Sequence, residues 1–237
     1  MIDILMVSYQ RLEFTKRSIQ AIEKRTKTPY RLIVIDNGST DGSLQWLLNA
    51  FTKGIVHQVI PLKENFGIHW AWNIGLSVVK SEPYFITTDN DIIPPRLNPD
   101  WLIQLISLMD QYPNFGSISL QPQIFVGGVP KLWEDEDIFE TRWAGAVFRA
   151  MRTEVVKGFG GWQPVKRQGR DGEERWIAER FHEAGFKVGY AKNLRAWHCF
   201  SKNWGYPDGT PHGHNPVYPP VENYDGIQVD PDTLKPL

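Results

Sequence analysis

Arg31-Leu32-Ile33-Val34-Ile35-Asp36-Asn37-Gly38-Ser39-Thr40-Asp41-Gly42 joins an unbroken apolar run to a dense turn cluster. The apolar run, Leu32 to Ile35, leaves no polar face, which predicts a strand buried on both sides, as in a parallel sheet. The Asn, Gly, Ser, Thr and Asp that follow are turn formers, and Ser43 to Phe51 predicts a helix. The same alternation runs on both sides of this stretch. Ile2 to Ser8 predicts a strand, Tyr9 to Glu13 a polar turn, and Phe14 to Lys24 a helix with Ile19 and Ile22 on its apolar stripe. Ile55 to Pro61 predicts the third strand, Gly67 to Lys80 a helix, and Tyr84 to Thr88 the fourth strand. Strand and helix in strict alternation predict an α/β fold with a mostly parallel, Rossmann-like sheet flanked by helices. Ligands collect beyond the carboxyl ends of such strands, where Ser8, Asp36 and Asp89 lie.

The second half has a different rhythm. Trp101 to Tyr112 predicts a helix, Gly116 to Leu120 a strand, and Trp143 to Met151 another strand. Thr153 suits the N-cap of a short helix ending at Gly158. Phe159 to Arg170 is a glycine-rich, basic loop, Glu173 to Ala184 an amphipathic helix stopped by Gly185, and Lys187 to Ala191 a strand. The acidic run Glu134 to Asp137 reads as solvated. From Asn203 the chain is rich in Pro, Gly, Asn and Tyr without a period, so it predicts a tail or lid.

Composition narrows the function. The 237 residues are 41% hydrophobic and 22% charged with a net charge of −1, which gives no bulk attraction for nucleic acid or an anionic membrane. No apolar stretch approaches the roughly 20 residues needed to span a bilayer. The N-terminus lacks a basic region and a cleavage site, so it reads as a core strand and not a signal peptide. A single cysteine, Cys199, suits a reducing, cytoplasmic location. Ten tryptophans suit stacking on sugar rings as well as core packing.

Phe85-Ile86-Thr87-Thr88-Asp89-Asn90-Asp91 ends an apolar strand in two carboxylates one residue apart. Their repulsion is relieved by a divalent cation, since hard oxygens suit magnesium, manganese or calcium. A solvated turn closed by Pro94-Pro95 accounts for these seven residues equally well. Their position at a strand end favours the metal site.

Four motifs in register carry a resemblance. Val7-Ser8-Tyr9, Val34 to Ser43, Asn65-Phe66-Gly67 and Asp89-Asn90-Asp91 occur in the order and spacing of glycosyltransferase family 2. The resemblance covers roughly residues 1 to 200 and implies the GT-A fold. It divides the chain into a domain over 1–204 (a nucleotide half, 1–115, and an acceptor half, 116–204) and a tail over 205–237. It implies an inverting, metal-dependent hexosyltransferase that moves a sugar from a nucleotide-diphosphate donor to a glycan, lipid-linked or other hydroxyl acceptor. Peripheral membrane association through such an acceptor is compatible with the chain; the oligomeric state is left open.

The resemblance implies a role for each residue. Asp36 accepts a hydrogen bond from the base, and Ser8 and Tyr9 line its pocket. Asn65, Gly67 and Asn73 lie near the nucleotide, with Asn90. Asp89 faces the ribose and is a further candidate ligand of the manganese or magnesium that Asp91 and His198 hold. The general base lies in the segment Asp171-Gly172-Glu173-Glu174. Counting back from Gly185 favours Glu174 over Glu173 and Asp171, with glutamate where the family has aspartate. Trp143, Gly145 and Trp162 shape the donor-sugar and acceptor pocket, while Lys166, Arg167 and Arg170 read as a solvated basic loop, with contact to a phosphate as the alternative. The alternatives are a retaining GT-A transferase, a sugar nucleotidyltransferase and an inactive nucleotide- or glycan-binding module. Against the nucleotidyltransferase stands the turn Ser8-Tyr9-Gln10-Arg11-Leu12, which has no glycine.

Overall fold

The computed structural model describes residues 1–122, 131–163 and 172–199. The alternating half runs β1 (Ile2–Ser8), α1 (Leu12–Arg25), β2 (Tyr30–Asp36), α2 (Ser43–Thr52), β3 (Gln58–Pro61), α3 (Ile68–Leu76) and β4 (Tyr84–Asp89). There follow β5 (Ile92–Ile93), α4 (Trp101–Gln111), β6 (Phe115–Pro122), β7 (Lys131–Glu134) and β8 (Ile138–Thr141). The chain then forms β9 (Arg149–Arg152), α5 (Thr153–Gly158), α6 (Glu173–Glu183) and β10 (Lys187–His198).

The sheet runs in the order β3-β2-β1-β4-β9-β6-β10-β8-β7. Its first four strands are parallel, and β9 enters antiparallel between β4 and β6. The two halves named above therefore share one sheet. Alternate residues of β1 and β2 face opposite layers. Ile4, Met6, Leu32 and Val34 join Ile19, Leu47 and Trp101 in one core, while Leu5, Val7, Ile33 and Ile35 join Trp72, Ile177 and Phe181 in the other. Burial on both faces is what the unbroken apolar run demands. No helix among the described residues is long and apolar enough to cross a membrane.

Strand order reverses direction at β1, with β2 on one side and β4 on the other. That switch point opens a crevice at the carboxyl ends of β1 and β4. The turn after β2 seals one wall of it. Gly38 has φ +81°, and a methyl group placed there would lie 2.5 Å from the Glu64 carbonyl carbon. Only glycine lets the β2–α2 turn come this close to the loop before α3.

Strand β3 begins at Gln58 and not at Ile55, and β5, β7 and β8 answer to no strand expected from the sequence; three further elements differ for a backbone reason. Helix α3 gives way after Leu76 to tight turns, with Val78 N–H donating to the Gly75 carbonyl and Val79 N–H to the Leu76 carbonyl, and Lys80 and Ser81 then donate their N–H groups to Asp3 Oδ2. Residues 143–148 are not a strand: Gly145 N–H goes to the Tyr190 hydroxyl, and Ser119 Oγ donates to the Gly145 carbonyl. Conversely β10 continues past Ala191 to His198, regaining register with β6 after an irregularity between Ala191 and Arg195. The acidic run is also more than a solvated stretch. Asp135 accepts from the N–H groups of Asp137 and Ile138 and from the Tyr112 hydroxyl, fixing the β7–β8 turn. Lys166, Arg167, Arg170, Asp171 and the tail after residue 199 lie outside the described residues.

Candidate functional site

Two turns dock on each other at the mouth of the crevice. Gln10 N–H donates to Ser39 Oγ, the Gln10 amide exchanges hydrogen bonds with Thr40, and Leu12 N–H donates to Asp41 Oδ2. Asp41 also caps Ser43, so one carboxylate serves the first turns of α1 and α2. Gln10 and Arg11 both hold positive φ, 55° and 61°. Consecutive non-glycine residues there store backbone strain, and the result is to turn Arg11 back toward β4.

Beside these turns Asp36 is fully buried. Its Oδ1 accepts from Ser39 N–H, while its Oδ2 has no hydrogen-bond partner among the described residues. Burial pushes its carboxyl above the usual range, against the pull of the Ser39 hydrogen bonds. A buried acceptor without a donor is costly and calls for one. Ser8 and Asn90 are differently engaged. The Asn90 amide donates to Thr15 Oγ1 at 2.8 Å and to the Gln10 carbonyl at 3.2 Å, and Ser8 Oγ lies 3.3 Å from Thr15 Oγ1. Both hold the turn under the site. Tyr9 is half-buried at the end of β1. Asn65 accepts from the Asn37 amide and from Gly67 N–H, shaping the loop before α3.

At the end of β4, Arg11 Nη1 donates to Asp91 Oδ2 at 2.8 Å, and His198 Nε2 lies 3.3 Å from the same oxygen. The short β5–β10 pairing sets Ile92 opposite His198, and Cys199 N–H donates to the Asp91 carbonyl. The end of β10 is thus folded back onto the paired acids. Burial alone would lower the His198 pKa, but the Asp91 charge and hydrogen bond, aided by Asp89, raise it. Asp89 is pushed up to about 8 by burial and then by the charges of Asp91, Glu173 and Glu174. Four carboxylates therefore share this end of the crevice, and their mutual repulsion holds the Asp89 carboxyl above the usual range.

Such an excess of hard oxygens suits a divalent cation in charge and donor type. Asp91, Asp89 and His198 are the residues that would hold it. Among the described residues no three metal-binding side chains converge on a common point; Arg11 already takes one Asp91 oxygen.

Helix α6 delivers the acids from the other side. Glu173 is buried, and its Oε2 accepts from Arg149 Nη2 at 2.9 Å and from Trp162 Nε1 at 3.0 Å. Glu174 is half-buried and accepts a backbone hydrogen bond from Ala146. Burial and then the Glu173 charge push its carboxyl up, with Arg149 and the Ala146 N–H opposing. Gly145 makes room for it: a methyl group there would lie 3.1 Å from Glu174 Oε1. Gly145→Ala is therefore expected to displace that carboxylate and lower kcat roughly tenfold. Steady-state kinetics beside a melting curve will separate this from a folding defect.

Two residues expected at the ligand face the core instead. Trp162 is 1% exposed, packed at 6.0 Å from Trp72 and hydrogen-bonded to Glu173, so it is not placed to stack on a sugar. Asn73 holds both backbone groups of Trp162 with its amide, N–H to Oδ1 at 2.7 Å and Nδ2 to carbonyl at 2.6 Å. Trp143 is half-buried with the Arg175 guanidinium over its ring at 5.3 Å. Arg11, Arg149 and His69 were not singled out by sequence. His69, in the first turn of α3, has a buried Nε2 with no partner among the described residues. A basic residue inside the apolar run Ala146 to Met151 was the available signal for Arg149, because a buried charge requires a buried partner.

Known proteins align with this arrangement. The family description "Glycosyl transferase family 2" matches residues 3–183. An uncharacterized glycosyltransferase of Haemophilus influenzae is 26% identical over 128 residues, which is 53% of this chain and 38% of that protein. The fold is similar to the mannosyltransferase PcManGT from Pyrobaculum calidifontis, solved with GDP-Man and Mn2+, at a TM-score of 0.67 and 15% identity over 85% of this chain and 57% of that one. It is also similar to S. aureus TarS 1-349 with UDP-GlcNAc (TM-score 0.65, 14% identity, 84% of this chain and 59% of that one). GalNAc-T7 with UDP, GalNAc and Mn2+ gives a TM-score of 0.69 at 17% identity, over 83% of this chain and 43% of that one. The chain thus spans from about two fifths to three fifths of the length of these proteins. With the family matched across residues 3–183, all but about the last quarter of the sequence, the chain belongs to glycosyl transferase family 2.

Proposed function

We propose that this chain is an inverting glycosyltransferase that moves a sugar from a nucleotide-diphosphate donor to a hydroxyl acceptor with the help of a divalent cation. The observation that carries this reading is the opposition of two acid sets across one crevice. Asp89 and Asp91 lie at the end of β4, and Glu174 faces them from α6, closely enough for its charge to raise the Asp89 carboxyl. Similarity to proteins solved with GDP-Man, UDP-GlcNAc and Mn2+ supports it.

In this mechanism the free Asp36 Oδ2 accepts an N–H from the donor's base, ending its isolation. Asp89 orients the donor beside it. Asp91 and His198 would hold the cation, which would supply Lewis-acid stabilisation for the leaving diphosphate, worth several kcal/mol as a general rule. Arg11 stands beside the same charge and adds a fixed positive group. Glu174 takes the proton of the acceptor hydroxyl as that oxygen attacks the anomeric carbon. A carboxylate raised by burial and by Glu173 is a stronger base than an exposed one. Attack from the face opposite the leaving group inverts the anomeric centre, which matches a single base placed across from the diphosphate side. The acceptor in this reading is a glycan, a lipid-linked acceptor or another hydroxyl.

A thermal-shift screen of UDP- and GDP-sugars, with manganese and with chelator, tests the class and the donor together. A ligand at 100 times its Kd stabilises by about 2.7 kcal/mol, which raises the Tm of a domain this size by roughly 5–10 °C. A flat response to every nucleotide sugar in both conditions would remove the donor class.

A further inference from the structure

Arg149 is 1% exposed, and each arm of its guanidinium reaches a different part of the molecule. Nε donates to Thr87 Oγ1 at 3.2 Å, Nη1 to the Ala144 carbonyl at 3.2 Å, and Nη2 to Glu173 Oε2 at 2.9 Å. Thr87 lies on β4 two residues before Asp89. Ala144 belongs to the irregular segment whose Gly145 and Ala146 cradle Glu174. Glu173 opens α6 immediately before Glu174. One buried side chain therefore ties together the three pieces of backbone that set where Glu174 stands relative to Asp89.

Stability is a poor reason for such a pair. Taking two charges out of water costs about as much as their attraction returns, and an apolar pair of similar volume is often as stable or more so. What the pair provides is a fixed arrangement. Glu173 accepts from Arg149 and from Trp162 Nε1 on the same oxygen, and this engagement sets it apart from its neighbour. We propose that Arg149 is a positioning residue that holds the Glu174 carboxylate against the end of β4, with Glu173 as its anchor and not as the base. The inference rests on Glu174 acting as the base in the reading above.

The charges around Glu174 make the role separable from a scaffolding one. Glu173 faces it from α6, Arg149 from β9, Asp89 from β4, and Tyr190 and His198 from β10. Glu173 pushes the Glu174 carboxyl up and Arg149 pulls it down. Loss of either partner thus moves the acid limb of the pH–rate profile in opposite directions, which a general loosening of the fold does not do.

The experiment measures nucleoside diphosphate release from the UDP- or GDP-sugar that most stabilises the wild type, across pH, for Arg149→Lys, Arg149→Met, Glu173→Gln and the double variant Arg149→Met/Glu173→Gln. Arg149→Met is expected to lower kcat at least tenfold with the donor KM within threefold, and to move the acid limb to higher pH. Glu173→Gln moves the limb to lower pH, and Arg149→Lys recovers most of kcat. The double variant leaves no unpaired buried charge, so it folds even if Arg149→Met does not, and it keeps the kcat loss. Wild-type kcat in the double variant overturns the proposal, as do limbs that stay fixed or move the same way in the single variants. If the wild type neither binds nor cleaves any of these sugars, the donor reading itself fails and the inference falls with it; binding and turnover with unaltered variants sinks the inference alone.

Discussion

Asp91→Ala is expected to abolish the manganese-dependent part of nucleotide binding, lowering the affinity for a nucleoside diphosphate by roughly 100-fold or more in the presence of the metal. The geometry gives the reason. Asp91 Oδ2 is the point on which Arg11 and His198 converge, at 2.8 and 3.3 Å, so its removal leaves both side chains without the oxygen that brings them together. The measurement is a titration of nucleoside diphosphate with manganese and again with chelator, for wild type and variant. The wild type should bind far more tightly with metal, and the variant equally weakly in both. A wild type indifferent to chelator would show that Asp91 serves Arg11 alone. The loss of the Arg11 partner should also cost about 1–3 kcal/mol of stability, so melting curves belong beside the titration.

Much of this site was legible in the sequence because strand ends are legible. The apolar run before Asp36 and the run before Asp89 fix where two strands stop, and in a parallel sheet those stops fall on one edge. Asp36, Asp89 and Asp91 could be placed together from that logic. His198 is harder: the strand that carries it breaks register at Ala191, and its middle, Lys192-Asn193-Leu194-Arg195, has no strand period. Its last residues pair with Ile92 and Ile93, a two-residue strand too short to leave a pattern.

Side-chain burial was not legible, and two roles shifted on that account. Trp162 follows two glycines and looks like an exposed aromatic on a flexible loop. The Asn73 amide, 89 residues away, clamps its backbone and turns the indole inward. No local property of either residue encodes that contact. Glu173 and Glu174 present the same difficulty. Adjacent residues on a helix point about 100° apart, and counting back from Gly185 favours Glu174 without revealing what holds its neighbour. That contact comes from Arg149, which engages Glu173. The loop from Trp143 to Phe148 misled for a related reason. Its apolar residues suit a strand, yet its backbone groups bond to Tyr190, Ser119 and Arg149 side chains.

Glu174→Gln is the substitution with the clearest expected kinetic consequence, a fall in kcat of about 10²–10⁴-fold with donor binding kept. Glutamine preserves the shape, and its carbonyl oxygen can still accept the Ala146 N–H that holds the native carboxylate. Removing the negative charge relieves Asp89 rather than straining it, since Glu174 is one of the groups that raises the Asp89 carboxyl. The fold and the donor-induced rise in Tm should therefore survive. The pH dependence supplies the second signature. Burial and Glu173 raise the Glu174 pKa, and the base acts only when ionised, so wild-type activity falls as pH drops through a value above the ordinary carboxylate range. In the variant that limb disappears, leaving a low and flatter profile. Glu173→Gln serves as the contrast, because its carboxylate already accepts from Arg149 and Trp162; it should move the limb without erasing it. Transfer at the wild-type rate by Glu174→Gln would exclude this residue and direct the search for the base to Asp171. Loss of transfer together with loss of donor binding would instead make Glu174 part of the donor site.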